Sequence, residues 1–211
     1  MTIFKKSEYA GKFITFEGIE GSGKTTNLSF LTEYFKSKNI DVVVTREPGG
    51  TLMGETIRTA FLSNYAEKIN PITEMLLLFA ARAQHIENII KPALAAGRCI
   101  LCDRFTDATY AYQGGGRGVA VHDIELLESM VQQDLRPDFT IIFDVPVEIS
   151  LSRIQKRKSI DRIEKEEVEF FSRARQVYLN RAKIRATKYK VIDAAVPLVE
   201  VQNILKSLFP L

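Results

Sequence analysis

The chain has 211 residues, 45% of them hydrophobic and 26% charged, a composition that suits one globular domain able to bury a full core. A formal charge of only +3 gives no electrostatic case for a nucleic-acid partner. No apolar run approaches the ~18 residues of a membrane span, and "MTIFKKSEYAGKF" lacks the apolar stretch of a signal peptide, so a soluble cytoplasmic protein with no membrane partner is expected.

Along the chain, "KFITFEG", "IDVVVTRE", "RCILCDR", "DFTIIFDV" and "YKVIDA" read as five strands. Three are nearly continuous apolar runs, as strands covered on both faces of a parallel sheet require. Helical patterns fall between them, near 24–38, 51–62, 72–96, 121–134, 146–157, 163–186 and 197–208. Strands alternating with helices define an α/β layered fold. Pro92 should kink or divide the third helix. "QGGGRG", residues 113–118, reads as the most permissive backbone after the first loop. "RIQKRKSIDR", residues 153–162, is strongly basic and is followed by acidic "EKEEVE". With no repeat or linker, residues 1–211 read as a single domain. Cys99 and Cys102 mimic a zinc or redox half-site. Residues three apart on a strand face opposite ways, however, so the thiols should not converge.

Gly18-Ile19-Glu20-Gly21-Ser22-Gly23-Lys24-Thr25 fits G-x-x-x-x-G-K-[ST] between a strand and a helix. Its backbone N–H groups and the helix dipole suit phosphate oxygens. Lys24 should reach the β/γ-phosphates and Thr25 should hold Mg²⁺. Residues 18–25 with Thr26 are therefore the expected ATP site. Glu20 would be costly against those phosphates, so it should face away from them. The GTPase signatures D-x-x-G and N-K-x-D do not occur, and neither does the Asp-Glu pair usual in motor-type ATPases. Asp103 is instead followed by Arg104, which suits a second anionic substrate and hence a small kinase. A non-catalytic nucleotide switch would use the same loop but would not need these acceptor-side motifs.

"FEGIEGSGKTT", "TREPGGT", "LLLFAARAQH", "DRFTDATYAYQGGGRG" and "DRIEKE" occur in this order. With them the chain resembles the thymidylate kinase family over nearly its whole length. The resemblance implies a P-loop nucleoside-monophosphate-kinase fold with a five-stranded parallel sheet, a lid near 153–162 and a homodimer. It also implies transfer of the γ-phosphoryl of ATP to dTMP, with Mg²⁺, on the way to dTTP.

The resemblance also suggests roles for single residues. Arg46 suits the acceptor phosphate, with Pro48 fixing the turn and Gly49-Gly50 permitting close approach. Arg58 is a candidate second clamp. Phe79 and Arg82 share a helix face and suit a thymine, one by stacking and one at a base carbonyl. The family's pair is usually four apart, so either Phe79 stacks or Leu78 supplies apolar contact. Asp103 should lie near Mg²⁺ or its water and Arg104 on the acceptor phosphate, both at the sheet's C-terminal edge. Thr109, Tyr112 and Gln113 fall on the motif bordering the nucleoside, where Tyr112 would fill the space of a 2′-hydroxyl. Arg157 and Arg162 are the expected lid arginines that stabilise transferring charge; Arg153 belongs at the hinge or on the adenine side. Glu20 is implied to meet the acceptor's 3′-hydroxyl. Glu17, on the strand end, takes no role from the resemblance; support of the loop's backbone is the job its position suits. Other members place an arginine within the loop, and here the lid is expected to supply that charge. No general base is needed, because a phosphate monoester is already an anionic nucleophile at pH 7. A deoxynucleoside kinase would need one.

Overall fold

The computed structural model describes residues 9–156 and 161–210. All five expected strands form: β1 Phe13–Glu17, β2 Val42–Arg46, β3 Cys99–Asp103, β4 Phe139–Asp144 and β5 Tyr189–Asp193. They make one parallel sheet in the order β2-β3-β1-β4-β5. The central strands β1, β3 and β4 are buried along almost their whole length, whereas the edge strands β2 and β5 are largely accessible. Their continuous apolar runs follow from helices covering both faces. The chain winds to one side of β1 through β2 and β3, then crosses to the other for β4 and β5. The C-terminal end of β1 is therefore the switch point at which such sheets bind ligands.

The helices are α1 Lys24–Ser37, α2 Leu52–Leu62, α3 Pro71–His85, α4 Lys91–Ala95, α5 Thr106–Thr109, α6 Val121–Gln132, α7 Val147–Gln155, α8 Val168–Ile184 and α9 Leu198–Leu208. Thr51 caps α2 by accepting from Gly54 N at 3.0 Å, and Asn70 caps α3 by accepting from Ile72 N at 2.8 Å. Pro71 in the first turn of α3 gives up an N–H that the helix does not use. Pro92 divides the third expected helix. α3 passes into a π-helical segment, Ile86–Ile90, before α4 resumes. Pro92 has no N–H and its ring crowds the preceding turn, and the widened turn lies where that bond is missing. No described helix is long and apolar enough to cross a membrane.

Residues 113–118 are not the open backbone their glycines suggest. A second π-helical segment, Tyr110–Gly116, continues α5 and packs against α8. A Cβ on Gly116 would lie 2.3 Å from the Phe170 ring, and one on Gly115 would lie 2.7 Å from Val177. Arg173 of α8 donates to Gly115 O and Gly116 O at 3.0 and 2.8 Å. These glycines serve close packing. α8 starts at Val168, later than its apolar pattern, because Asp161 and Glu164 first close a turn. Each carboxylate accepts the other's backbone N–H, at 2.9 and 3.1 Å.

Cys99 packs with Ile14, Phe16 and Leu101, and Cys102 packs with Phe13, Ile100 and Phe105 on the other face. Both are free buried thiols, and burial pushes Cys99 up to about 12.

Gly116→Ala should destabilise the fold by about 1–3 kcal/mol, the usual cost of overpacking. Adding Phe170→Leu should recover part of the loss. Urea denaturation of both variants checks this, and an unchanged midpoint in the single variant would refute the close-packing role.

Candidate active site

The phosphate loop joins the end of β1 to α1. Gly23 sits ahead of α1 at φ 90°, a left-handed conformation that suits glycine. Lys24 is buried, and its Nζ donates to Gly18 O at 3.0 Å, Ile19 O at 2.9 Å and Ser22 Oγ at 3.4 Å. Burial and the nearby Arg104 push its ammonium down to about 8. Thr25 Oγ1 donates to Asp103 Oδ2 at 3.3 Å, joining the start of α1 to the end of β3. From outside, Ser150 Oγ of α7 donates to Glu20 O. Arg153 Nη1 donates to Gly21 O at 3.2 Å, and its Nη2 reaches Ala194 O at 3.0 Å, just past β5. Arg153 therefore braces the loop.

Arg104 follows β3 at φ 70°. Its Nη1 donates to Gly18 O at 2.8 Å and Tyr178 OH at 3.1 Å. Its Nη2 donates to Glu20 Oε1 at 2.6 Å and Tyr112 OH at 3.1 Å. Four of its five N–H groups are thus committed to protein. Sequence reading placed Arg104 on the acceptor phosphate; the structure aims it at the phosphate loop and Glu20. Arg104 is what holds the Glu20 carboxylate in place.

Glu17 also departs from expectation. It accepts from Phe105 N at 2.7 Å and from Tyr178 OH at 3.0 Å, so it supports the turn after β3 and not the phosphate loop. It is fully buried, and burial followed by Asp107 pushes its carboxyl up to about 8.

On the other flank, Arg46 ends β2 with its side chain 54% exposed and paired to Glu55 at 2.8 Å. Arg58 Nη1 donates to Pro48 O at 3.1 Å. Burial and Arg46 push the Arg58 guanidinium down, the sign of crowded cations that an anion would relieve. Arg82 is buried. Its Nε donates to Glu47 Oε2 at 2.7 Å, and its Nη2 donates to Thr109 Oγ1 at 3.0 Å and Phe105 O at 3.2 Å.

Phe79 and Leu78 are both buried but pack on different sides of α3. Phe79 packs with Met75, Tyr110, Val119 and Ile124, its ring 4.7 Å from the Arg82 guanidinium carbon. It does not line the cleft, and Leu78 does. A one-residue step turns a helical side chain by ~100°, enough to exchange cleft for core.

Arg162 is likewise displaced from its expected place. Its Nη1 donates to buried Glu74 at 2.6 Å, and its Nε and Nη2 donate to Phe61 O. It anchors its segment to α2 and α3. Arg157 lies outside the described residues.

Lys24, Thr25, Thr26, Glu20, Arg46, Pro48, Arg58, Arg82, Asp103, Arg104, Thr109, Tyr112 and Gln113 share one cavity of about 260 Å³. Phe61, Phe105, Ala108 and Ile163 add apolar wall. Four buried polar atoms have no hydrogen-bond partner among the described residues, and three belong to that wall: Arg82 Nη1, Asp103 Oδ1 and Gln113 Oε1. Unpaired buried polar groups are costly, so a site holding a donor, a carboxylate and an amide oxygen ready is built for a polar ligand. Sequence reading missed Glu47, Glu74, His85 and Tyr178. Glu47 lay in view inside "TREPGG" and His85 inside "LLLFAARAQH"; Glu74 and Tyr178 carry no local signal, because their partners are distant in sequence.

A phosphate loop at the switch point of a parallel sheet, sharing a cavity with several arginines, defines a P-loop phosphotransferase. The thymidylate kinase family model matches residues 16–204. The chain belongs to the thymidylate kinase family. It is 54% identical over 200 residues to the thymidylate kinase of Pseudomonas fluorescens strain Pf0-1, covering 95% of each chain. It is 52% identical over 201 residues to that of Pseudomonas entomophila strain L48, covering 95% of this chain and 96% of the relative. The crystal structure of thymidylate kinase from Ehrlichia chaffeensis superposes with a TM-score of 0.76 at 35% identity, over 93% of this chain and 96% of that one.

Glu17 gives a pH signature. A carboxyl raised from 4.5 to about 8 contributes its stability fully below the unfolded value and loses it as pH rises through the folded one. Glu17→Gln lacks that dependence. Between pH ~5 and ~8 the stability of the wild type relative to Glu17→Gln should fall by up to about 1.4 kcal/mol per pH unit. Denaturant midpoints across that range measure it; a pH-independent difference would show Glu17 already ionised.

Proposed function

We propose that the chain transfers the γ-phosphoryl group of ATP to dTMP, giving dTDP and ADP. The observation that carries this reading is the pair of unpaired polar atoms, Arg82 Nη1 and Gln113 Oε1, on residues of the cavity that the phosphate loop also lines. Arg82 Nη1 is a donor and Gln113 Oε1 is an acceptor, because the Gln113 amide nitrogen is spent on Glu74 at 3.1 Å. Thymine offers the complement, a carbonyl beside an N–H. Cytosine offers the reverse and would leave both groups unpaired.

The loop holds the donor. Lys24 exchanges its bonds to loop carbonyls for the more strongly accepting phosphate oxygens. The acceptor phosphate lies between Arg46 and Arg58, whose mutual repulsion it relieves. Its anionic oxygen attacks the γ-phosphorus, and the bond from that phosphorus to the bridging oxygen breaks toward ADP. No side chain takes a proton. Glu20, oriented by Arg104, faces the sugar end of the acceptor. Tyr112 bears on the sugar, held against Arg104 with its ring 4.9 Å from the guanidinium carbon.

Thr25 and Asp103 fit Mg²⁺. They give a hydroxyl and a carboxylate in contact, with Asp103 Oδ1 unpaired, and hard oxygen donors that complete their shell with phosphates and water suit this ion. When bound, the ion neutralises phosphate charge. Arg157 is the arginine assigned to the transferring group, because Arg162 is spent on Glu74 and Phe61. A homodimer is supported by exposed apolar residues on adjacent helices: Leu52 and Met53 on α2, Ile72 and Leu76 on α3, Leu126 and Met130 on α6.

Coupled ADP release should be fastest with dTMP among dTMP, dUMP, dCMP, dGMP, UMP and thymidine. A preference for thymidine or for a purine nucleotide would overturn the reading, as would ATP turnover indifferent to any acceptor. Arg58→Ala should raise the KM for dTMP by about tenfold or more, since a charge-assisted bond is worth ~1.5–3 kcal/mol, and leave the KM for ATP in place.

A further inference from the structure

A charged cluster lies behind the base end of the cleft, and no step above uses it. Glu47 follows β2 and is 5% exposed; His85 ends α3 and is 0% exposed. One carboxylate serves two partners, with Glu47 Oε2 accepting from Arg82 Nε at 2.7 Å and Oε1 lying 2.9 Å from His85 Nδ1. The far side of the imidazole, Nε2, lies 2.7 Å from Thr45 Oγ1 in β2. Burial pushes the Glu47 carboxyl up, but Arg82 and His85 outweigh it and hold it below its ordinary value. An ionised carboxylate only accepts, so Nδ1 carries the proton toward Glu47.

We propose that His85 is a positioning residue for the acceptor base, acting through Glu47 on Arg82. The proposal rests on the reading of Arg82 as the group that meets the base. Arg82 needs a fixed plane, because one N–H face, at Nη1, is left for ligand. Its guanidinium lies between the rings of Phe79 and Phe105, at 4.7 and 5.2 Å. Thr109 Oγ1 and Phe105 O hold it through Nη2, and Glu47 is the charged partner that holds it through Nε. A carboxylate held only by Arg82 would turn with it. His85 supplies the second, orthogonal hold.

The same imidazole also backs the acceptor turn. A Cβ on Gly50 would lie 2.6 Å from Thr45 Oγ1 and 2.8 Å from His85 Nε2, and Gly50 has φ 80°. One ring thus sets the base-reading arginine and the wall against which the "TREPGG" turn packs. An aliphatic residue of similar size would fill the space but leave a Glu47 oxygen and the Thr45 hydroxyl without this partner.

Two near-isosteric variants separate positioning from packing. His85→Asn places an amide N–H near Nδ1 and keeps the Glu47 bond. His85→Gln places one near Nε2 and keeps only Thr45. With dTMP and ATP, His85→Gln should raise the KM for dTMP by about tenfold, the cost of one unmade buried bond. Its kcat and KM for ATP should stay within about threefold of wild type, and His85→Asn should stay near wild type throughout. In an Arg82→Ala background the added loss from His85→Gln should vanish, since the two act as one unit. A substrate-free measurement accompanies these: the Arg82 Nε–H NMR signal should shift and exchange faster in His85→Gln, and not in His85→Asn. Equal behaviour of the two variants, or an undisturbed Arg82 signal in both, would overturn the relay. A wild type that ignores dTMP would instead overturn the functional reading, and the NMR signal would still decide the relay.

Discussion

The site depends on one buried guanidinium. Arg104 reaches back from the end of β3 to the phosphate loop and binds Gly18 O, Glu20, Tyr112 and Tyr178 at once. Around it stand Glu17, Glu20, Asp103 and Lys24. Three ionised carboxylates beside an anion-binding loop would work against phosphate. Two features prevent this. Glu17 holds its proton until about pH 8, because burial and Asp107 disfavour its charge. Glu20 spends its charge on Arg104. What remains is Asp103 against Lys24, nearly neutral, which leaves the loop's N–H groups and helix dipole free to favour phosphate. The acidic residues tolerated beside this loop are thus explained by protonation at Glu17 and by a counter-ion at Glu20.

The acceptor turn follows a similar economy. Arg46 and Arg58 are cations brought close; Glu55 links Arg46 to the backbone by accepting from it at 2.8 Å and from Gly50 N at 3.0 Å, and Arg58 donates to Pro48 O at 3.1 Å. The turn can hold that shape only with small residues. A side chain at Gly49 would strike Glu55, and one at Gly50 would strike Thr45 and His85. The motif "TREPGG" is therefore a packing statement as much as a binding one. Its threonine and glutamate face His85 and Arg82, its arginine faces the cleft, and its glycines admit the neighbours on either side.

Much of this was legible in the sequence. The five strands showed as apolar runs, because a sheet covered on both faces leaves no room for alternation. The phosphate loop showed by spacing, and Pro92 marked the break after α3. What was hidden has a common cause. Gly115 and Gly116 looked like loop, because their reason for being small lies on α8, at Val177 and Phe170. Phe79 and Leu78 differ by one helical step, and only packing says which faces the cleft. Arg162 looked like a free lid cation, because its partner Glu74 is 88 residues away. Local pattern fixes backbone and composition; it does not report which distant charge has already claimed an arginine.

Glu74 shows why that claim matters. It is fully buried and accepts from Arg162 at 2.6 Å on one oxygen, and from Arg117 and Gln113, each at 3.1 Å, on the other. A buried carboxylate stripped of its cations is costly, so these three donors stand together. Arg162 carries the segment after α7, Arg117 reaches Glu166 at 2.6 Å ahead of α8, and Gln113 carries the amide oxygen that faces the cleft. The orientation of that amide is what makes it an acceptor there. Turning it round would put its oxygen against Glu74 and its nitrogen into the cleft. The carboxylate that anchors the post-α7 segment therefore also fixes which end of the Gln113 amide is left unpaired. Glu47 likewise holds Arg82 through Nε. The unpaired donor at Arg82 and the unpaired acceptor at Gln113 are each held by a buried carboxylate, neither of which was read from the sequence as part of the site.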